Sequence, residues 1–222
     1  MLMRIVVASL ALGLAACGKP TDDGATVTAP ESRVASTEAA PASTGPANLA
    51  LACAAPFTPD ATAASLAAVF GQENVIPETI DGQEGEKLNV TAIYPSDPTR
   101  RIEVYFKDEE ARTRLAWATV KEDTSAWKGP GGVKMGDGIE AVEAANGGVF
   151  KISGFDWDFG GYVNDWMGGK LGETAPGCHT VLQFKRDPAN NDMSIIGEGG
   201  RASDLPAMRA AKPIVTEFGI RW

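Results

Sequence analysis

The chain carries one histidine, His179, in 222 residues. A single imidazole excludes every metal motif that needs two histidines on one face. Neither a Gly-x-Ser-x-Gly elbow nor a Walker phosphate loop occurs, and Gly129-Pro130-Gly131-Gly132 lacks the lysine and spacing of a phosphate cradle. Asp156-x-Asp158 begins like a calcium loop, but its twelfth position is Met167 where a bidentate glutamate is needed. No cofactor is therefore implied. Basic residues are also sparse: 20 Lys and Arg against 29 Asp and Glu leave a net charge of −9. No Lys/Arg stripe is interleaved with aromatics, which argues against a nucleic-acid partner. The densest basic spot, Arg100-Arg101, reads as a solvated strand end. Long apolar runs are missing too, since the stretch from Ile5 to Ala16 falls short of the ~20 residues that span a bilayer.

What is present starts with that short run. Arg4 precedes it and Leu14-Ala15-Ala16-Cys17 closes it. This order of cation, apolar run, small residues and cysteine resembles the lipobox of bacterial lipoproteins. The resemblance implies that residues 1–16 are a cleaved signal peptide and that Cys17 carries lipid. Each buried methylene of an acyl chain contributes ~0.8 kcal/mol, so two or three chains hold a protein on a membrane for good. Gly18, with no aspartate at that position, implies sorting to the outer membrane, with the protein facing the periplasm. Residues 17–52 are rich in Ala, Thr, Ser and Pro without helical or strand period, and they read as a disordered tether with a reach of ~30–35 Å.

Residues 53–222 then form one globular domain, long enough for a single buried core. With Cys17 lipidated in an oxidising compartment, Cys53 and Cys178 are left to pair as a disulfide. The competing reading makes Cys178-His179 a catalytic or metal-binding pair. Neighbours on a strand point to opposite faces, which disfavours it.

Two short amphipathic helices with glycine stops are expected at Ala64 to Gly71 and Gly138 to Gly147. Each precedes a strand, Ile102 to Asp108 and Val181 to Asp187, at nearly the same distance. The spacing suggests repeat-like halves, roughly 53–125 and 126–222, in an α+β fold of antiparallel sheet and short helices. Val133-Lys134-Met135-Gly136, followed by Ile139, Val142 and Asn146-Gly147, is similar to the helix-on-sheet unit of the small barrel-assembly lipoprotein and of the β-lactamase inhibitory protein. That resemblance implies a sheet with an exposed face that binds another protein. Those proteins usually place glycine before methionine, and the first half here has no such turn, so no functional residue carries over.

The most distinctive passage lies between Gly129 and Gly172, where glycine and aromatics concentrate, above all from Gly154 to Gly169. Phe155, Trp157 and Phe159 alternate with Asp156 and Asp158, the period of a strand with one aromatic and one acidic face. Gly160-Gly161 then turns the chain and Tyr162 to Trp166 returns, which predicts a hairpin. Trp157 is expected in the core. Binding contacts are expected from Tyr162, Trp166, Asp156, Asp158 and Asp165. The C-terminal run from Ile214 to Trp222 reads as a closing strand with Ile214, Phe218, Ile220 and Trp222 turned inward. The function these features point to is non-enzymatic binding of an envelope protein or cell-wall component at a membrane. The alternatives are a glycan-directed hydrolase using carboxylates of the aromatic hairpin, and an inhibitor of a secreted hydrolase.

Overall fold

A computed structural model describes residues 48–82 and 85–222. The expected signal peptide, the lipid site at Cys17 and most of the tether lie outside the described residues. The folded part starts before Cys53. Leu51 is fully buried, and Leu49 packs against the same core. Leu51 donates its N–H to the carbonyl of Lys128 at 2.8 Å. Leu49 and Leu51, two large apolar side chains amid alanines, are what draw this stretch into the domain.

The protein is α+β, with a seven-strand antiparallel sheet, a three-strand sheet and three short helices. Helix α1 (Ala63–Phe70) begins at Thr62, whose hydroxyl accepts from the Ser65 N–H while the Ser65 hydroxyl accepts from the Thr62 N–H. This reciprocal cap satisfies two donors that the first turn leaves unpaired. Strands β1 (Val75–Asp81), β2 (Lys87–Ile93), β3 (Ile102–Asp108) and β4 (Thr113–Val120) follow as a meander. Helix α2 (Ile139–Asn146) ends at Gly147 in the left-handed conformation. Strands β5 (Lys151–Ser153), β6 (Val163–Asp165), β7 (Glu173–Ala175), β8 (Cys178–Lys185) and β9 (Gly200–Ala202) come next. Helix α3 (Pro206–Ala210) and strand β10 (Ile214–Arg221) close the chain.

The large sheet runs β1-β2-β3-β4-β10-β8-β7, and the small one β6-β5-β9. The two strands matched in the sequence, β3 and β8, flank the central β4-β10 pair on either side. The second half departs from the first by placing the small sheet and α3 between its strands. Helical residues Leu66, Phe70, Ile139, Val142 and Met208 are buried in the same core as Ile93, Val104, Leu115, Phe218 and Ile220 of the sheet. Phe57, Phe70 and Trp127 meet at 5.8–6.2 Å between ring centres.

Cys53 and Cys178 form a disulfide with Cα atoms 6.0 Å apart. Cys178 is buried and His179 beside it is exposed, on opposite faces of β8 as strand geometry requires.

Two expectations about strands fail. Residues 155–162 are not the strand of a hairpin: only Val163–Asp165 is strand, pairing with β5. Asp156 takes φ +62°, and the Gly160 N–H returns to the Trp157 carbonyl at 2.8 Å, so the segment turns where alternation needs extended backbone. Gly161, at φ +78°, lies so close to the carbonyl of Phe184 that a Cβ there would sit 1.9 Å from its oxygen. Phe155 is consequently core, Trp157 is half-buried, and Phe159 is 58% exposed. The second failure is at the C-terminus. A bulge between Val215 and Glu217 shifts the strand's phase, so Val215 is buried and Ile214 is 47% exposed, while Phe218 and Ile220 face the core as expected.

Candidate functional site on the open face of the sheet

Directly opposed residues of antiparallel strands share a face. Register therefore assigns the face away from the helices. One row crosses β3, β4, β10, β8 and β7 as Tyr105, Trp117, Arg221, His179 and Glu173. The next row toward the other end of β4 is Glu103, Thr119, Gly219 and Val181.

Polar side chains on this face are tied to one another. The Tyr105 hydroxyl donates to Glu103 Oε2 at 3.0 Å, and Lys121 Nζ donates to the same oxygen at 3.1 Å. Arg101 donates to Glu78 at 2.8 Å and to Glu103 at 3.5 Å, and pairs with Glu122 at 3.8 Å. With its side chain 15% exposed, Arg101 is an organiser of this face, which corrects the sequence reading of a solvated strand end. Arg100 lies with its guanidinium 4.0 Å from the centre of the Tyr94 ring and bonds Asp97. Glu217 accepts from the Thr119 hydroxyl and from the Tyr162 hydroxyl, one at each oxygen.

These contacts set the electrostatics. Burial, followed by the negative field of Glu103, raises the Tyr105 hydroxyl above the ordinary tyrosine range, and burial followed by Glu217 does the same to Tyr162. Burial opposes the charge on Lys121, but Glu217 and Glu103 outweigh it and hold the ammonium above its usual value. Both tyrosines stay neutral donors and Lys121 stays a cation at any physiological pH. The groups around Glu103 and Glu217 form a fixed polar network, while Arg221 in the row of Trp117 is exposed.

Its apolar feature is the stack of Tyr105 on Trp117, with ring centres 4.2 Å apart and planes tilted by 21°. Tyr105 is buried beneath, whereas Trp117 is 38% exposed. Beside the stack lies a notch of about 100 Å³ walled by Leu88, Tyr105, Phe106 and Trp117 together with the polar Lys87, Asn89 and Glu109.

The candidate residues named from sequence are dispersed. Tyr162 reaches the rim of the open face through Glu217. Trp166 is half-buried and packs on Phe150 at 5.5 Å, a supporting position for the core. Asp156 is held by the Arg186 guanidinium at 2.5 Å beside a cleft of about 230 Å³ that Trp157, Gln183 and Pro188 help to line. Asp158 is exposed. Asp165 caps the Met167 N–H and pairs with Lys151, which hold its carboxyl below the usual range. A glycosidase acid must instead be held above that range, so Asp165 is poorly suited to the role. The residues of the hairpin reading thus have separate partners: Tyr162 bonds Glu217, Trp166 packs on Phe150, Asp156 pairs with Arg186 and Asp165 with Lys151.

Sequence reasoning missed Glu103, Tyr105, Trp117, Lys121 and Glu217. A signal was available within β3, where Glu103 and Tyr105 alternate with Ile102, Val104 and Phe106. Among the described residues, no group of three or more His, Cys, Asp or Glu could hold a metal ion. No family model matches the chain, and no match is found among curated proteins or solved structures.

Proposed function

We propose that the protein is a membrane-anchored lipoprotein of a bacterial envelope, held by lipid on Cys17 and facing the periplasm, whose domain binds another envelope component without chemical turnover. The binding surface is the open face of the seven-strand sheet. The observation that carries this reading is Trp117: a large aromatic, 38% exposed, stacked on a buried tyrosine whose hydroxyl is held by Glu103. An aromatic presented on a rigid support loses little conformational entropy on binding, the property that makes such residues anchors of interfaces. The anchor rests on the run from Arg4 to Cys17.

Photocrosslinking in cells tests the surface. A photoreactive phenylalanine replacing Trp117 in the full chain should yield a discrete adduct, while the same group at Met193, 76% exposed on a separate turn, should not. Equal background at the two positions removes the reading. Cys17→Ser tests the anchor independently: the variant should accumulate as precursor or leave the membrane fraction. Mature Cys17→Ser protein in the membrane would sink the anchor.

A further inference from the structure

On the helix-bearing face of the sheet, the register pairs of β1 and β2 change character along the strands. Val75 opposite Ile93 belongs to the same core as Leu66 and Phe70 of α1, whereas Pro77 stands opposite Thr91 and Thr79 opposite Asn89. Beyond the core pair lies a cleft of about 380 Å³, walled by Glu109, Glu110 and Arg112 of the turn between β3 and β4. Thr91 lines this cleft, is 1% exposed, and has a hydroxyl without a hydrogen-bond partner among the described residues. A buried hydroxyl left unpaired lowers stability, and a valine of the same shape would not. Arg112 is half-buried and Glu110 exposed, and neither side chain makes a hydrogen bond or ion pair, with the other or with any described residue. Glu109 accepts one N–H of the Asn89 amide at 3.4 Å and keeps its charge. Glu78 also lines the cleft, with its carboxylate on Arg101 at 2.8 Å. A carboxylate and a guanidinium thus border one cavity without neutralising each other.

The signs of charge on the wall select the occupant. A dianion is opposed by Glu109 and Glu110 and a dication by Arg112, so either one meets repulsion from part of the cleft. A molecule with one carboxylate and one ammonium satisfies both signs. Small-ligand sites run from roughly 300 to 1,000 Å³, and 380 Å³ lies at the small end of that range. Phe106 and Pro77 supply apolar contact for a side chain. We infer that this cleft binds a small zwitterion of the α-amino acid or dipeptide class. Its carboxylate meets the Arg112 guanidinium, a planar fork that can hold both oxygens. Its ammonium meets Glu110, and a further polar atom meets the Thr91 hydroxyl. The site does not depend on the open face, because Thr91 and its partner Val104 point to the side of the sheet opposite Tyr105 and Trp117.

Titration calorimetry of the full chain with the free α-amino acids and their dipeptides tests the site. At least one of these zwitterions should bind at submillimolar concentration. Acetylating its amine, or amidating its carboxylate, should each weaken binding at least tenfold. Arg112→Gln should cost the unblocked ligand as much as amidation does and should cost the amidated ligand nothing more, because both changes remove one contact. Glu110→Gln should behave in the same way toward acetylation. Both side chains are unbonded on a turn, so both variants should keep the wild-type melting temperature. Thr91→Val should weaken binding severalfold without lowering the melting temperature. N-acetylglucosamine and putrescine run in parallel as a neutral sugar and a dication. Tighter binding of either one than of every zwitterion overturns the inference. So does the absence of binding by any zwitterion, or binding that ignores Arg112→Gln or Thr91→Val.

Discussion

Tyr162 donates its hydroxyl to Glu217 at 3.0 Å across 55 positions of sequence, joining the segment that leads into β6 to the central strand β10. Thr119 holds the other carboxylate oxygen at 2.8 Å. This carboxylate thus joins the small sheet to the open face, beside the backbone bond from the Phe184 N–H to the Gly161 carbonyl at 2.8 Å.

Tyr162→Phe should destabilise the protein by about 1–2 kcal/mol, because it leaves one oxygen of a half-buried carboxylate without its donor. Glu217→Leu should be milder than Glu217→Ala, since it fills the space while removing the charge that needs partners. Urea denaturation of the three variants gives the comparison. An unchanged midpoint for Tyr162→Phe would contradict a structural role for the bond.

Alkaline titration should reveal the two shifted tyrosines. Both hydroxyls are raised above the ordinary tyrosine pKa of about 10 in the folded protein. A raised pKa means that the folded state keeps protons which the unfolded state releases, so stability is complete below about pH 10 and falls as pH rises beyond it. Ultraviolet absorbance of tyrosinate should show a late component that shrinks in Tyr105→Phe and in Tyr162→Phe. Ordinary titration of all tyrosines in the folded protein would refute the burial argument.

The disulfide closes a separation of 125 residues. Cys53→Ser and Cys178→Ser should each cost about 2–4 kcal/mol, and the double variant should cost no more than either alone. Two free thiols in the denatured, unreduced domain would remove the bond from the account.

Phe155 and Trp157 should respond differently to truncation. Phe155 is 3% exposed and belongs to the core, so Phe155→Ala should lose about 3–5 kcal/mol. Trp157 is half-buried at a cleft, contacts exposed Phe159 at 5.6 Å and bonds the Gly154 carbonyl through its indole N–H. Its replacement by alanine should cost less than half as much. Thermal melts rank the two, and a larger loss at Trp157 would restore the sequence-based expectation.

Which parts of this fold could be read in advance follows from the range of the forces involved. Helix α1 was legible to one residue because its period and its glycine stop are local. Strand β3 was legible because Ile102, Val104 and Phe106 alternate without interruption. The turn at Asp156 was not, because alternating aromatics are compatible with a strand until a long-range constraint intervenes. Here the constraint is the packing of Gly161 against Phe184 and of Gly154 against the carbonyl of Gly197. The phase of β10 was misread at its start for a related reason: a bulge is set by the neighbouring strand β8 and leaves no mark in the strand's own composition. The open-face network was hardest of all. Glu103, Thr119 and Glu217 come from three strands, and only register makes them neighbours.

The bond between Cys53 and Cys178 also decides how tension passes through the molecule. Cys178 opens β8, one residue before His179 in the row that leads through Arg221 to Trp117. A pull applied through the chain before Asn48, against a partner seated on that row, is carried through two sulfur atoms into β8 and across β10 to β4. Helix α1 and strands β1 to β3 lie off this load path. Without the disulfide, the covalent path from Cys53 to Trp117 would instead run through all of them in turn.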